Sequence, residues 1–247
     1  MNNRLVIIPT YNEIENIEKI IRKVLSLDPQ FDILVIDDNS PDGTANAVKN
    51  LQDEQRGKIH LLERSGKLGL GTAYIMGFHW ALEKGFEFIF EMDADFSHNP
   101  DDLVRLFDAC KNGSDLAIGS RYITGVNVVN WPMSRVLISY FASRYVRVIT
   151  RMRIKDSTAG FVCYRVKVLE TINLDKIRFK GYAFQIEMKF NAWKHGFVLK
   201  EVPIIFTDRK EGKSKMSGKI VYEAIWGVIT MKISSWFKSY KKVALST

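Results

Sequence analysis

Asp93-Ala-Asp95 places two carboxylates two residues apart at the end of the apolar run Phe86-Glu-Phe-Ile-Phe-Glu-Met-Asp93. In an extended chain alternate side chains share a side. The pair therefore suits one hard divalent cation, Mg or Mn, which takes carboxylate and phosphate oxygens together and keeps waters. Two protein ligands suffice if a bound diphosphate supplies the others. The plain alternative, capping of a turn or of the next helix, accounts well for Asp101 and Asp102. It accounts poorly for Asp93 and Asp95, because Ser97 and Asn99 are nearer caps. Asp37 and Asp38 are adjacent, so an extended backbone sends them to opposite sides: one can face a ligand's ribose or base while the other supports the turn. Asp-Asn-Ser-Pro-Asp-Gly is also a loop-forming composition in its own right. The loop Arg64-Ser-Gly-Lys-Leu-Gly-Leu-Gly71 offers glycines and two cations, but it is neither a Walker loop nor G-x-G-x-x-G. Lys67 is thus either a ligand cation or a solvated charge. His60, His79, His98 and His195 share no spacing with carboxylates and read as structural or surface residues.

The elements around these residues alternate. Arg4-Leu-Val-Ile-Ile-Pro9 is short and apolar enough for a buried strand. Asn12 can cap a helix over Glu13–Leu27, whose Ile14, Ile17, Ile20, Ile21, Val24 and Leu25 fall at helical spacing. A strand at Asp32–Asp37, a helix to about Leu51, a strand near Ile59–Glu63, a helix over about Thr72–Lys84 and a strand at Phe86–Asp93 follow. Asn99-Pro100-Asp-Asp102 reads as a helix start. This order argues for an α/β fold, a mainly parallel sheet covered by helices. Such sheets bind ligands beyond the carboxyl ends of their strands. Pro9-Thr-Tyr-Asn-Glu13, Asp37-Asp-Asn-Ser40 and Asp93-Ala-Asp95 all fall there.

The 247-residue chain is 46% hydrophobic and 26% charged, a globular rather than a disordered or fibrous composition. Its charge of +8 joins unlike halves: residues 1–120 carry 12 Lys and Arg against 20 Asp and Glu, and residues 121–247 carry 24 against 8. Two cysteines in separate segments suggest neither a disulfide framework nor a zinc cage, and a reducing cytoplasm is expected. Met1–Ile8 is too short before Pro9 for a signal peptide. Ile220–Phe237 is interrupted by Glu223 and Lys232 and falls short of the roughly 20 apolar residues of a spanning helix.

Taken in order, the segments just quoted, with Gly119-Ser-Arg-Tyr122 and Gly181-Tyr-Ala-Phe-Gln-Ile-Glu187, resemble the polyprenol (dolichol) phosphate mannosyltransferases, inverting GT-A glycosyltransferases grouped as family 2. The resemblance runs from Pro9 to about Gly218. It implies a Rossmann-like GT-A catalytic domain over 1–218, with 1–120 the nucleotide and metal half and 121–218 the acceptor half. Residues 219–247 would be an amphipathic, non-spanning tail. It also implies transfer of mannose from GDP-mannose to a polyprenyl (dolichyl) phosphate. Pro9, Tyr11, Glu13, Ile36, Asp38 and Lys67 would bind the nucleotide, and Asp93, Ala94 and Asp95 the divalent cation and diphosphate. Arg121 falls near the transferred sugar and phosphate, and Arg209 and Lys215 match a basic loop over the donor. Some relatives carry Gln where this chain has Ser97, which leaves a third protein ligand open. The catalytic set implied is Asp95, Arg121 and Arg135, the two arginines being candidates for the acceptor phosphate.

Between Ser134 and Arg153, five arginines alternate with aromatic and aliphatic residues, and Arg144, Arg147 and Arg151 share a helical face. Such a helix can pack on a sheet or lie on an anionic membrane; a lipid acceptor favours the second. Ile220–Phe237, with Trp226, Trp236 and Phe237, is a second interfacial candidate. Attachment is expected to be peripheral on the cytoplasmic face, or through a membrane-anchoring partner protein. Two rivals remain: transfer from a UDP-sugar such as UDP-glucose, and a nucleic-acid-binding module using the basic half. The second lacks any recognition motif, and the acidic half would repel a phosphate backbone, so no nucleic acid is expected.

Overall fold

The computed structural model describes residues 3–208 and 218–240. Strands β1 (Arg4–Thr10), β2 (Asp32–Asp37), β3 (Ile59–Glu63), β4 (Phe88–Glu91), β5 (Leu116–Ser120), β7 (Val162–Arg165) and β8 (Leu199–Pro203) form one sheet in the order β3-β2-β1-β4-β7-β5-β8. All pairings are parallel except those of β7, which runs antiparallel between β4 and β5. β6 (Val128–Val129) and β9 (Phe206–Thr207) form a separate short pair. The expected mainly parallel α/β sheet is therefore present.

The apolar runs of β1 and β2 are explained by burial on both faces. Leu5, Ile7, Leu34 and Ile36 join one core with α3 (Leu70–Glu83), α6 (Val166–Thr171) and α7 (Tyr182–His195). Val6, Ile8, Ile33 and Val35 join the other, with α1 (Ile17–Leu25), α2 (Thr44–Glu54) and α4 (Asp102–Lys111). Two further helices, α5 (Met133–Thr150) and α8 (Gly218–Ser234), lie over the α7 side, tied together where the Tyr145 hydroxyl donates to the Ile225 carbonyl at 3.0 Å.

Three sequence expectations are corrected. The first helix starts at Ile17, not Glu13, and its N-cap is Asn16 rather than Asn12. Asn12 takes a left-handed φ of 59°, and the amides of Asn12 and Ile14 are drawn to Ser40 and Asp42 in the loop after β2. The fourth strand ends at Glu91, and the chain bends from Ala94 to His98, so Asp93 and Asp95 lie beyond the strand. The helix after it starts at Asp102, with Pro100 in the preceding turn and the Asn99 side chain accepting from the Asp101 amide.

Gly77 sets the approach of α3 to the sheet. A Cβ there would stand 2.9 Å from Ile36 Cδ1 and from two atoms of Ile7. Gly77→Val is expected to lower unfolding free energy by about 3 kcal/mol through overpacking, measured by urea denaturation; an unchanged midpoint would contradict this packing.

Candidate active site

Strand order places β1 beside both β2 and β4, so the ends of these three strands share one sheet edge, at the point where connections diverge. Asp37 is the turn supporter: buried, it accepts from the Thr10 hydroxyl at 2.9 Å and from the Ser40 amide and hydroxyl at 2.8 and 2.6 Å. Asp38 turns the other way and is paired with Arg64, whose Nε donates at 2.6 Å. Arg64 is itself buried and reaches Thr72 Oγ1 at 2.7 Å, which ties Asp38 to the glycine-containing loop. In that loop the Lys67 ammonium lies 3.3 Å from the Tyr11 ring centroid, a cation–π contact. Pro9 and Glu13 stand partly exposed on the same edge. Ile36 is wholly buried, with its Cδ1 beneath Gly77, so its side chain has no surface to offer a nucleotide.

A cavity of about 540 Å³ opens next to this edge. Asp93, Asp95, Arg121 and Arg135 all line it, together with Ser97, His98 and Trp131. The structure thus gathers four of the site residues expected from sequence into one cavity, while Tyr11, Glu13, Asp38 and Lys67 form the neighbouring ledge. Ala94 is buried among the core residues. Arg209 and Lys215 lie outside the described residues. Asp95 Oδ1 accepts from the Ser97 amide at 3.0 Å, so this carboxylate does shape the local turn. Phe96, between them, holds φ at 58°, a strained value for an aromatic residue and one that clusters at functional loops.

Arg121 follows β5 and is 8% exposed. Its Nε and Nη2 donate to the two oxygens of Asp156, each at 2.7 Å, its backbone amide adds a third bond at 3.0 Å, and Nη2 also reaches Thr158. Burial pushes the Asp156 carboxyl up, but the Arg121 charge and hydrogen bonds outweigh it and hold the group below its ordinary value. Arg135, in the first turn of α5, donates to both oxygens of Asp208 at 2.8 and 2.9 Å, and its guanidinium lies 4.1 Å from the centroid of Trp131. His98, expected to be structural or on the surface, is buried, stacked on Phe161, and forms a wall of the cavity. Burial lowers its pKa to about 4, so it is neutral at pH 7.

Below the cavity floor, Gln185 Nε2 donates to buried Glu91 at 2.7 Å, and Lys189 donates to the Ala159 carbonyl and to Gln185. Asp156, Arg64, Trp131 and the Glu91–Gln185–Lys189 group received no role from sequence. A faint signal existed for the first, since Asp156-Ser-Thr-Ala-Gly160 is a small, polar run between apolar stretches.

The far end of the cavity is apolar, walled by Ile138, Phe141 and Tyr145 of α5, Ile225 and Val228 of α8, and Ile186. Outside it, Leu137, Phe141 and Val148 of α5 and Trp226, Trp236 and Phe237 in and after α8 are exposed, Phe237 by 84%. Arg144 and Arg147 are exposed along the same helix, so its outer surface mixes cations with apolar groups, whereas Arg151, expected on that helical face, is exposed just past the helix end with a left-handed φ of 64°. Among the described residues no helix is long and apolar enough to cross a membrane.

Among the described residues no three His, Cys, Asp or Glu side chains form a ready-made metal cage. The two cavity carboxylates nonetheless fit a hard divalent cation that takes its remaining oxygens from a diphosphate.

A family model described as glycosyl transferase family 2 matches residues 5–172. The chain is 47% identical over 232 residues to a polyprenol monophosphomannose synthase of Mycolicibacterium smegmatis, covering 94% of this chain and 86% of that protein. It is 46% identical over 229 residues to an undecaprenyl-phosphate mannosyltransferase of Micrococcus luteus, covering 91% and 93%. A dolichol-phosphate mannosyltransferase of Pyrococcus furiosus is 40% identical over 222 residues, covering 88% of this chain but 60% of that protein. Among solved structures, glucosyl-3-phosphoglycerate synthase from Mycobacterium tuberculosis, in complex with Mn2+, UDP and phosphoglyceric acid, superposes with a TM-score of 0.66 at 15% identity, covering 94% of this chain and 78% of that one. At that identity the likeness shows the fold, which is the GT-A, Rossmann-like arrangement.

Burial raises Glu91 from its ordinary 4.5 to about 8. A raised carboxyl contributes stability that is complete below the unfolded value and lost as pH climbs through the folded one. The melting temperature of the protein minus that of Glu91→Gln is therefore expected to decline from about pH 4.5 to pH 8; a constant difference across that window would contradict the assignment.

Proposed function

The chain belongs to glycosyl transferase family 2, and on that premise we propose that it transfers mannose from GDP-mannose to a polyprenyl (dolichyl) monophosphate, with inversion and with a divalent cation. The observation that carries this reading is a single cavity with Asp93, Asp95, Arg121 and Arg135 at one end and an apolar wall between α5 and α8 at the other. A lipid monophosphate has that same division into charged head and apolar chain.

Each group has a role that follows from its chemistry. Tyr11, Glu13, Asp38 and Lys67 would hold the nucleotide on the ledge, Pro9 would shape it, and Ile36 and Ala94 would contribute through their backbones. Asp93 and Asp95 would hold the cation, Mg or Mn, which when bound supplies charge stabilisation to the departing diphosphate. Arg209 and Lys215 would approach the donor from the later basic loop. The attacking acceptor oxygen is anionic at neutral pH, so no strong general base is required; the chain's task is to align two anions, for which fixed guanidinium groups serve. Arg121 is fixed by Asp156. Arg135 would exchange part of its bonding to Asp208 for the acceptor phosphate.

Residues 1–218 would form the catalytic domain, split near residue 120 into donor and acceptor halves, with 219–247 as a membrane-facing tail. The exposed apolar and basic surface of α5 and α8 supports peripheral contact with an anionic bilayer, on the cytoplasmic face where nucleotide sugars are available, with or without an anchoring partner.

Purified protein with Mg or Mn, undecaprenyl phosphate and a panel of nucleotide sugars is expected to yield lipid-linked mannose from GDP-mannose. A product only from a UDP-sugar, or none, overturns the reading. Asp95→Asn is expected to reduce turnover at least 100-fold, about 3 kcal/mol, with unchanged circular dichroism; near-normal turnover would remove Asp95 from the cation site. In vesicle sedimentation, binding to phosphatidylglycerol-containing vesicles is expected to exceed binding to phosphatidylcholine and to weaken with salt. Equal, salt-independent binding to both would contradict the electrostatic part of the membrane contact.

A further inference from the structure

Trp131 stands in the turn between β6 and α5, at the charged end of the cavity. Its ring is held edge-on by Phe206 at 5.2 Å between centroids and an interplanar angle of 69°. Two guanidinium groups lie over it, Arg135 at 4.1 Å and Arg121 at 5.5 Å from the centroid. Its indole Nε1 is buried and has no hydrogen-bond partner among the described residues. A buried indole N–H ordinarily finds an acceptor, and it can only donate. The carboxylates that hold the two arginines are already committed, Asp156 to Arg121 and Asp208 to Arg135. The acceptor this N–H is built to meet is therefore an oxygen that arrives in the cavity. With two guanidinium groups over the same ring, that oxygen is best supplied by an anion.

We propose that Trp131 is a third recognition group for the acceptor phosphate, its indole N–H donating to a phosphoryl oxygen while its ring carries the guanidinium groups of Arg121 and Arg135. This rests on the lipid-phosphate reading of the cavity. A neutral N–H adds direction without adding positive charge. It discriminates for an acceptor oxygen at one position, where two guanidinium groups alone would tolerate an anion in several orientations.

The test uses the full chain labelled with 15N at its tryptophan indoles. Five tryptophans give five indole N–H signals, and Trp131→Phe identifies the one that disappears. Addition of farnesyl phosphate is expected to move the Trp131 indole proton downfield, whereas farnesol and GDP-mannose alone leave it in place. Trp131→Phe, which keeps a flat ring over which the arginines can lie, is expected to weaken farnesyl phosphate binding about tenfold, as the loss of one hydrogen bond to a charged group would, with GDP-mannose affinity unchanged. If the unaltered protein binds farnesyl phosphate by calorimetry but the Trp131 signal does not move, the proposal is overturned and the lipid-phosphate reading stands. If GDP-mannose alone moves the signal, the N–H belongs to the donor subsite and the proposal is likewise overturned. If the unaltered protein binds no farnesyl phosphate, both readings fall together. The signal is read on the unaltered protein, so the result survives even if the Phe variant folds poorly.

Discussion

The contact on which the charged half of this cavity depends is the buried ion pair of Arg121 and Asp156. Taking both charges out of water is expensive, and such a pair adds little net stability over an apolar equivalent, although breaking it by losing one partner costs about 3–5 kcal/mol. Its value lies in placement. Two guanidinium hydrogen bonds to one carboxylate, and a third to Thr158, leave the guanidinium almost no freedom. Trp131, Phe206 and Tyr122 then pack around a cation whose position is already decided. A group that does not reorganise when charge develops beside it is the kind that stabilises a transition state most effectively.

The same arrangement recurs at each arginine of the site among the described residues. Arg121 has Asp156, Arg135 has Asp208, and Arg64 has Asp38. A cavity lined by bare arginines would repel itself and would bind any anion. Paired, the arginines present oriented dipoles, and an incoming phosphate competes with a carboxylate for each of them. The large opposite charges of the two chain halves thus say less about the site than these local pairings do, because each pairing except Arg64–Asp38 is made within the basic half.

Sequence legibility followed the range of the interactions. The two-sided burial of β1 and β2 was plain from unbroken apolar runs, and the placement of Asp38 and Asp95 beyond strand ends followed from alternating order. Helix starts were misread where a distant loop captured the backbone amides, as Ser40 and Asp42 do for Asn12 and Ile14. The antiparallel insertion of β7 between β4 and β5 leaves no local trace. Arg121 was found through a family motif and Arg135 as a candidate for the acceptor phosphate, but their partners are 35 and 73 residues away, and no periodicity reaches that far. His98 was read only as structural or surface because a lone histidine carries no pattern, and the fold shows that it is buried and lines the cavity.

One residue, Phe179, joins the glycine-containing loop of the ledge to α8. The Gly71 amide donates to the Lys180 carbonyl at 2.8 Å, and a Cβ on Gly71 would stand 2.9 Å from the Phe179 carbonyl oxygen. On the other side, a Cβ on Gly227 of α8 would stand 2.7 Å from the Phe179 ring. Phe179 is therefore a shared wall with no clearance on either side. A side chain at residue 71 would press on the Phe179 backbone as well as on the Phe184 ring, and one at residue 227 on the Phe179 ring. The ledge beside β1 and the helix that walls the apolar end of the cavity have in this sense a common mechanical tolerance.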